Sequence, residues 1–203
     1  MKLSICKLIV MMGVFLAVVV VNAFSVYEVS FFDFEKDLQG WGIPEWAFQR
    51  NEYVADNIAL CREVSVKGDS SLKLMVEFSG HDWLAAITEV EGEFDLTRYR
   101  KLTCDIFIPE TAPGGLEGRI ILTSSRNWTW AEMSLPVYLR PGKWVTVSGI
   151  LRTGNFYWRG SNDRVKKITD EFKSEIKKLG IRVESDSVRY KGPIYIDNVK
   201  LIA

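Results

Sequence analysis

Short segments in which apolar and polar residues alternate make up most of the chain after residue 24, and this alternation predicts β-strands. Turn signals separate the segments at short intervals, in the stretches KGD (67–69), PGG (113–115) and PG (141–142). Many short strands between such turns are typical of an all-β fold, a β-sandwich or jelly roll. The predicted strands read YEVSFFDFE, NIALCREVSV, SLKLMVEF, LAAITEVEGEF, KLTCDIFI, GRIILTS, WTWAEMSL, KWVTVSGIL, LGIRVES and GPIYIDNVKLI.

One segment departs from the strand pattern. From about Asn162 to Leu179 apolar residues recur at helical spacing, with Lys, Asp and Glu between them, and Gly180 follows. This period predicts one short helix near the C-terminus that ends before the glycine and caps one end of the sandwich. The residues that define the apolar stripe are Val165, Ile168, Phe172, Ile176 and Leu179.

The N-terminus has the features of a targeting segment. Residues 1–23 carry lysines near the start, continue with the apolar run Leu8–Val21 and end at the small residue Ala23. This pattern predicts a secretory signal peptide cleaved after Ala23, and an uncleaved N-terminal anchor is the alternative. We therefore expect residues 24–203 to be a single secreted domain, long enough for a full core.

The charge and cysteine content limit the classes of ligand and the cysteine pairing that we expect. The chain carries 26 basic and 26 acidic side chains, so it offers no basic field for nucleic acid. We expect a monomer with a neutral ligand and no membrane contact after the signal peptide is removed. Cys61 and Cys104 could pair in a secreted protein, but Cys104 is in phase with Leu102 and Ile106 and also fits a small core residue.

The chain offers few residues for catalysis. His81 is the sole histidine, which excludes zinc sites with two histidines, and no nucleophile motif lies near it. Glu93 and Asp95 share a strand face and could serve glycoside hydrolysis, which uses two carboxylates. Arg98 stands where some jelly-roll glycosidases carry a third acid. We therefore expect a non-catalytic protein; a small hydrolase or lyase and a protein-binding adhesion domain are the alternatives.

The distribution of the seven tryptophans points to a ligand. In an extended strand Trp128, Trp130 and Glu132 share one face, because side chains alternate. Large rings on a polar face mark a binding site, and Trp46 and Trp83 also lie among polar residues. A pyranose stacks its C–H face on an indole while neighbouring polar groups bond its hydroxyls. The candidates for those bonds are Arg126, Asn127 and Glu132.

Two other tryptophans have different settings. Trp41 lies between two glycines in LQGWGI, which favours a structural role at a chain reversal. Trp158 lies in GNFYWRGSN, a glycine-bounded stretch that we interpret as a loop. The pattern around Trp144 leaves its role open.

Four stretches resemble carbohydrate-binding module family 27, the mannan-binding modules of bacterial mannanases. SVRYKGPIYIDNVKL is similar to the last strand of that family, and GWGIPEW, SGHDW and KLTCDIFIPETAPGGLEGRI resemble earlier segments in the same order. The resemblance covers nearly all of residues 24–203. It implies a galactose-binding-like β-sandwich that binds β-1,4-mannan or gluco- or galactomannan without catalysis. Another β-glycan, such as xylan or β-glucan, is the alternative ligand.

The resemblance also implies residue roles. The three sugar-stacking tryptophans of the family correspond to Trp46, Trp83 and Trp130. Trp128 has no counterpart there and could extend the platform or lie beside it. The segment Leu151–Lys178 looks longer than in the family, so that residues 155–158 could add a loop over the site.

Modules of this family usually hold a structural calcium away from the sugar site. The segments FDFE and IDNV resemble its ligand segments, which makes Asp197 and Glu35 the candidate ligands, with Asp33 behind them. Calcium takes six to eight oxygens. The alternative is that Asp197 caps a turn or pairs with a lysine.

Overall fold

The computed structural model describes residues 27–160 and 164–203, so the predicted signal peptide, residues 1–23, lies outside the described residues. In the described ranges no helix has the length and apolar character that a membrane span requires. The strands are β1 (Glu28–Phe32), β2 (Ala55–Cys61), β3 (Ser71–Ser79), β4 (Leu84–Phe94), β5 (Lys101–Phe107), β6 (Glu117–Ser124), β7 (Trp130–Met133), β8 (Val137–Tyr138), β9 (Trp144–Ile150), β10 (Asn155–Arg159), β11 (Val165–Ile168), β12 (Ile176–Ser185) and β13 (Arg189–Ile202). The helices are α1 (Asp170–Lys173) and the 3-10 turns Glu45–Gln49 and Arg126–Trp128.

The strands form two antiparallel sheets, which confirms the predicted β-sandwich. The rear sheet has the order β2-β3-β13-β5-β9, with β1 also paired to β13. The front sheet has the order β11-β10-β7-β6-β12-β4, with β8 also paired to β6. Long antiparallel ladders with buried inner faces fix the register of both sheets.

Alternating side chains from both sheets fill the space between them. Leu102 and Ile106 of β5 meet Ile120 and Leu122 of β6 in one core cluster. Burial of this apolar surface is the main force that holds the sheets together, at roughly 25 cal/mol per Å². Trp41 is part of the same cluster, which confirms its structural role.

The structure confirms one short helix near the C-terminus, α1 (Asp170–Lys173), but the predicted span Asn162–Leu179 is wrong. That segment contains strand β11, the single turn α1 and the start of β12, while residues 161–163 lie outside the described residues. The physical reason is a β-bulge between Ile176 and Lys178, where β12 shifts register against both β4 and β6. The extra residue turns Ile176 and Leu179 to the same side, so a bulged strand imitates helical spacing.

The expected loop over residues 155–158 is also wrong, because this stretch is strand β10. The Trp158 ring is fully buried, and its indole N–H donates a hydrogen bond to the Ile150 carbonyl at 2.6 Å. Gly149 makes room for the ring, since a Cβ at that position would lie 3.0 Å from it. Trp158 therefore belongs to the core.

Both cysteines are free and buried in the structure. Cys104 lies in the core cluster, as its phase with Leu102 and Ile106 predicted. Burial raises the pKa of the Cys104 thiol well above its ordinary value, which keeps it neutral and unreactive.

Candidate functional site

The outer face of the front sheet forms the floor of a groove. On β6 the side chains of Ile121 and Thr123 point outward, while Leu122 between them joins the core. The register of β7 places Glu132 opposite Ile121 and Trp130 opposite Thr123. A hollow of about 380 Å³, called the central hollow below, opens over this floor. It is lined by Trp46, Arg50, Tyr53, Ile87, Glu89, Ile121, Thr123, Trp128, Trp130, Glu132, Lys178 and Arg182.

Five charged side chains from four strands form an arginine–glutamate network across the floor. Glu132 accepts a hydrogen bond from Arg159 Nε at 2.6 Å, and its second oxygen pairs with Arg182 Nη2 at 2.8 Å. Glu184 accepts hydrogen bonds from Arg182 Nε at 2.7 Å and from Arg119 Nε at 2.5 Å. Buried charges persist only when they are paired in this way. The network therefore pairs all four oxygens of the two carboxylates and links the four strands of the floor.

Three aromatic rings border the β4 side of the groove. Trp46 comes from the 3-10 turn Glu45–Gln49 and meets Tyr53 edge to face, with ring centroids 4.8 Å apart. The Trp83 ring also meets Tyr53 edge to face, with ring centroids 6.2 Å apart. The Arg182 guanidinium lies 5.4 Å from the centre of the Trp83 ring. Trp83 thus stands at the end of the groove, beside the central hollow rather than in its lining.

Two tryptophans border the opposite side, next to β7. Trp130 is 37% exposed and Trp128 is 60% exposed. Ala131 and Met133 are buried, as predicted, but Glu132 is buried as well. The predicted extended strand does not include Trp128, which lies before β7 in the 3-10 turn Arg126–Trp128. Trp128 and Asn127 both have positive φ, 51° and 54°, a conformation that a bulky side chain rarely adopts.

The floor also holds a carboxylate that the sequence analysis missed. Glu89 is largely buried, and burial raises its pKa above the ordinary value. Its Oε2 is buried and, among the described residues, has no hydrogen-bond partner. Lys178 Nζ lies 3.6 Å from this oxygen and 2.7 Å from Glu91 Oε1. Glu89 and Lys178 therefore present one acceptor and one donor to the central hollow.

Arg126 and Asn127 are not brought to the central hollow. They line a separate hollow with Lys166, Lys167 and Thr169. The Arg126 guanidinium forms ion pairs with Glu171 and with Glu175. The backbone turn after β6 directs both side chains away from the groove.

Glu93 and Asp95 have the features of a polar strand end. Asp95 accepts hydrogen bonds from the Thr97 hydroxyl at 2.6 Å and the Thr97 amide at 2.9 Å. These bonds lower the pKa of Asp95. The Glu93 side chain is 93% exposed and lies 3.8 Å from Lys177 Nζ. Neither carboxylate faces the central hollow.

The candidate calcium ligands meet at the outer face of the rear sheet. Asp197 is fully buried, and its Oδ2 accepts hydrogen bonds from the amides of Val66 at 2.9 Å and Lys67 at 3.1 Å. Glu35 accepts from the amides of Asp69 at 3.0 Å and Ser70 at 3.2 Å. One loop therefore wraps both carboxylates through its backbone amides.

These carboxylates meet calcium's preference for oxygen in part. Burial raises the pKa of Asp197, and the nearby charge of Glu35 raises it further, so a cation between them would relieve repulsion. Asp33 instead accepts a bond from the Glu35 amide at 3.3 Å. Within the described ranges, no three acidic, histidine or cysteine side chains cluster closely enough to hold a metal. The remaining oxygens would have to come from backbone carbonyls or water.

The sequence analysis missed the charged residues of the groove floor for one reason. Arg182 and Glu184 alternate on β12, as outward-facing strand residues do. That alternation was visible in the sequence, but their partners Arg119 and Glu132 lie on β6 and β7. Strand order therefore decides which charges meet, and one sequence does not supply it.

Comparison with known proteins identifies the family. The model of carbohydrate binding module 27 matches residues 21–203. A solved structure similar to this chain is CBM27-1 of Caldicellulosiruptor saccharolyticus in complex with mannohexaose, with a TM-score of 0.58 and 21% identity, covering 87% of this chain and 97% of that one. TmCBM27, solved for its specific mannan recognition, has a TM-score of 0.50 and 24% identity, covering 87% and 95%.

The same architecture extends to other families. A family 11 module of a Clostridium thermocellum cellulase has a TM-score of 0.53 and 17% identity, covering 87% of this chain and 95% of that one. At such identities the likeness to these structures shows the fold alone. No curated protein matches the chain in sequence. The family match spans nearly the whole sequence, and the chain therefore belongs to carbohydrate-binding module family 27.

Proposed function

We propose that this protein is a secreted, monomeric, non-catalytic module that binds β-1,4-linked mannan, or gluco- or galactomannan, in the groove of the front sheet. The observation that carries the proposal is the ring of partly exposed tryptophans around a charged, prearranged floor. Trp46 and Trp130 stand on opposite sides of the central hollow, and Trp83 stands at its end. A pyranose chain laid along this groove would meet an indole face at each of these points.

Stacking alone gives too little affinity. Each ring contributes about 0.5–1.5 kcal/mol beyond area burial, by analogy with aromatic pairs, whereas micromolar binding needs about 8 kcal/mol. Hydrogen bonds to sugar hydroxyls must supply much of the rest. Arg182 and Lys178 offer donors, and Glu89 offers the acceptor Oε2, which has no hydrogen-bond partner among the described residues and lies 3.6 Å from Lys178 Nζ.

The floor does not provide a catalytic pair. Glycoside hydrolysis needs one carboxylic acid and one carboxylate beside the scissile bond. Two arginines pair with both oxygens of Glu132, so neither oxygen is free to act on a sugar. Glu89, whose pKa is raised by burial, is left without a second free carboxylate in the lining. Release of reducing sugar from mannan or xylan would overturn this part of the proposal.

Secretion and calcium complete the proposal. The N-terminal pattern of residues 1–23 supports export, and sequencing the N-terminus of the secreted protein tests it.

Asp197 and Glu35, with Asp33 behind them, would hold a structural calcium that stabilises the fold and takes no part in sugar binding. Calcium should raise the melting temperature of the wild type but not of Asp197→Asn. An equal rise in both proteins would place the ion elsewhere.

Calorimetric titration tests the ligand class. We expect micromolar heats with mannohexaose and much weaker heats with cellohexaose and xylohexaose. Preference for either comparator would reassign the module to another β-glycan. Absence of binding to all three would mean that the family match marks the fold only.

A further inference from the structure

Trp128 borders two hollows rather than one. Beside the central hollow lies a second hollow of about 510 Å³, called the end hollow below, and Trp128 lines both. The end hollow is lined by Glu93, Phe94, Asp95, Ser125, Trp128, Ser174, Glu175, Ile176 and Lys177. The ring is 60% exposed, so its faces are open at the boundary between them.

The end hollow continues the line of the groove. Along β12, Arg182 and Lys178 line the central hollow, and Lys177 lines the end hollow. Along β4, Glu89 lines the central hollow and Glu93 the end hollow. Two strands that lie side by side thus carry one surface from the first hollow into the second.

The backbone holds the Trp128 ring in this position at a cost. Trp128 has a φ of 51° directly after Asn127 with a φ of 54°. Asparagine tolerates this region, but tryptophan rarely enters it. The turn is closed by Thr129, whose hydroxyl donates to the Arg126 carbonyl at 3.0 Å. Strained residues of this kind cluster at ligand-binding positions.

The chemistry of the end hollow suits a neutral, hydroxyl-rich ligand. Carboxylates of Glu93 and Glu175 offer acceptors, Lys177 offers donors, and the serine hydroxyls can do both. Phe94 and Ile176 add apolar surface. The mixture of charges disfavours a strongly anionic ligand and matches further sugar units of the chain in the central hollow.

We propose that the end hollow binds additional sugar units of the same glycan, with Trp128 as the stacking platform that joins the two hollows. This inference rests on the proposed function. Its consequence is that affinity rises with chain length beyond the units that the central hollow holds, and that Trp128 is responsible for the rise.

A length series tests the proposal. Mannotetraose and mannohexaose are titrated against the wild type, Trp128→Ala, Glu93→Gln and the control Phe156→Ala, by calorimetry or, for weak binding, by NMR. Phe156 is equally exposed at 61% and lines neither hollow. Trp128→Ala should weaken mannohexaose binding roughly three- to tenfold and leave mannotetraose within twofold. Glu93→Gln should act in the same direction but less, and Phe156→Ala should act on neither.

The contrary results are distinct. An equal loss at both lengths would assign Trp128 to the central hollow, and no loss at either would make it a bystander; either result overturns the end hollow as a subsite. A loss seen only with galactose-branched oligosaccharides would place a branch there instead and also overturn it. If the wild type binds neither oligosaccharide, the proposed function itself fails.

Discussion

The outer faces of the two sheets both bury charge, but they use it differently. On the rear sheet, Asp105 is closed off by the Thr146 hydroxyl at 2.5 Å and the Asn198 amide at 2.6 Å, and a loop covers Asp197. On the front sheet, Arg119, Glu132, Arg182 and Glu184 of the network are just as buried, yet partly exposed tryptophans stand around them. Buried charge occurs on both faces, so the partly exposed tryptophans, and not the charge, favour the proposed glycan site on the front sheet.

The largest effect we expect comes from breaking the network. In Glu132→Gln the guanidinium groups of Arg159 and Arg182 lose their shared carboxylate. Removing one partner of a buried pair costs about 3–5 kcal/mol, measured as the free energy of unfolding in urea. The matched control is Glu77→Gln, because Glu77 pairs with Lys191 at 2.7 Å on the rear sheet and both are well exposed. That change should cost less than about 1 kcal/mol, and equal losses would contradict the contrast between the faces.

The next largest effect is on glycan affinity, and it distinguishes a tryptophan of the front sheet from a tryptophan of the rear sheet. Trp130→Ala should weaken mannohexaose binding by about 1–2 kcal/mol, because it removes a stacking platform and its buried area. Trp144 packs against Phe107 on the rear sheet, with centroids 5.4 Å apart, so Trp144→Ala should leave binding unchanged. Titration calorimetry on both variants measures the difference. A loss of affinity in Trp144→Ala alone would move the site to the rear sheet.

The smallest effect tests the electrostatics of the groove floor. Burial raises the pKa of Glu89, while the Lys178 hydrogen bond lowers the pKa of Glu91. The raised pKa of Glu89 stabilises the fold fully below the pKa of Glu89 in the unfolded chain, and this stabilisation is lost as pH rises through the folded pKa. The lowered pKa of Glu91 stabilises the fold above the pKa of Glu91 in the unfolded chain, and this stabilisation is lost as pH falls through the folded pKa. Glu89→Gln should melt higher than the wild type at pH 7 and equally at pH 4, and Glu91→Gln should melt lower at pH 7. The same sign in both variants would contradict these shifts.

Local alternation predicted part of this molecule well. The strand around Trp130 and Ala131 was predicted with its faces in the right order, because one side packs on the core and the other does not. The same reasoning failed at Ile176 and Leu179, where a β-bulge shifts the phase of the strand and imitates a helix. A bulge depends on pairing with β4 and β6, which the sequence of β12 alone does not reveal.

The sequence located the aromatic residues of the candidate site better than its polar residues. Trp46 and Trp130 line the same hollow and Trp83 lies beside it, while their role in sugar binding stays a prediction. Arg126 was chosen because it neighbours Trp128 in sequence, but the turn after β6 points it to Glu171 and Glu175. The polar groups that do line the floor come from strands distant in sequence, so only the sheet order brings them together.

Indole N–H signals in an NMR titration with mannohexaose test the central claim most directly, since all seven tryptophans report at once. The signals of four rings should shift, those of Trp46, Trp83, Trp128 and Trp130. Those of Trp41 and Trp158 in the core and Trp144 on the rear sheet should stay in place. Shifts at Trp144 without shifts at Trp46 and Trp130, or no shifts at a saturating concentration, would contradict a glycan-binding groove on the front sheet.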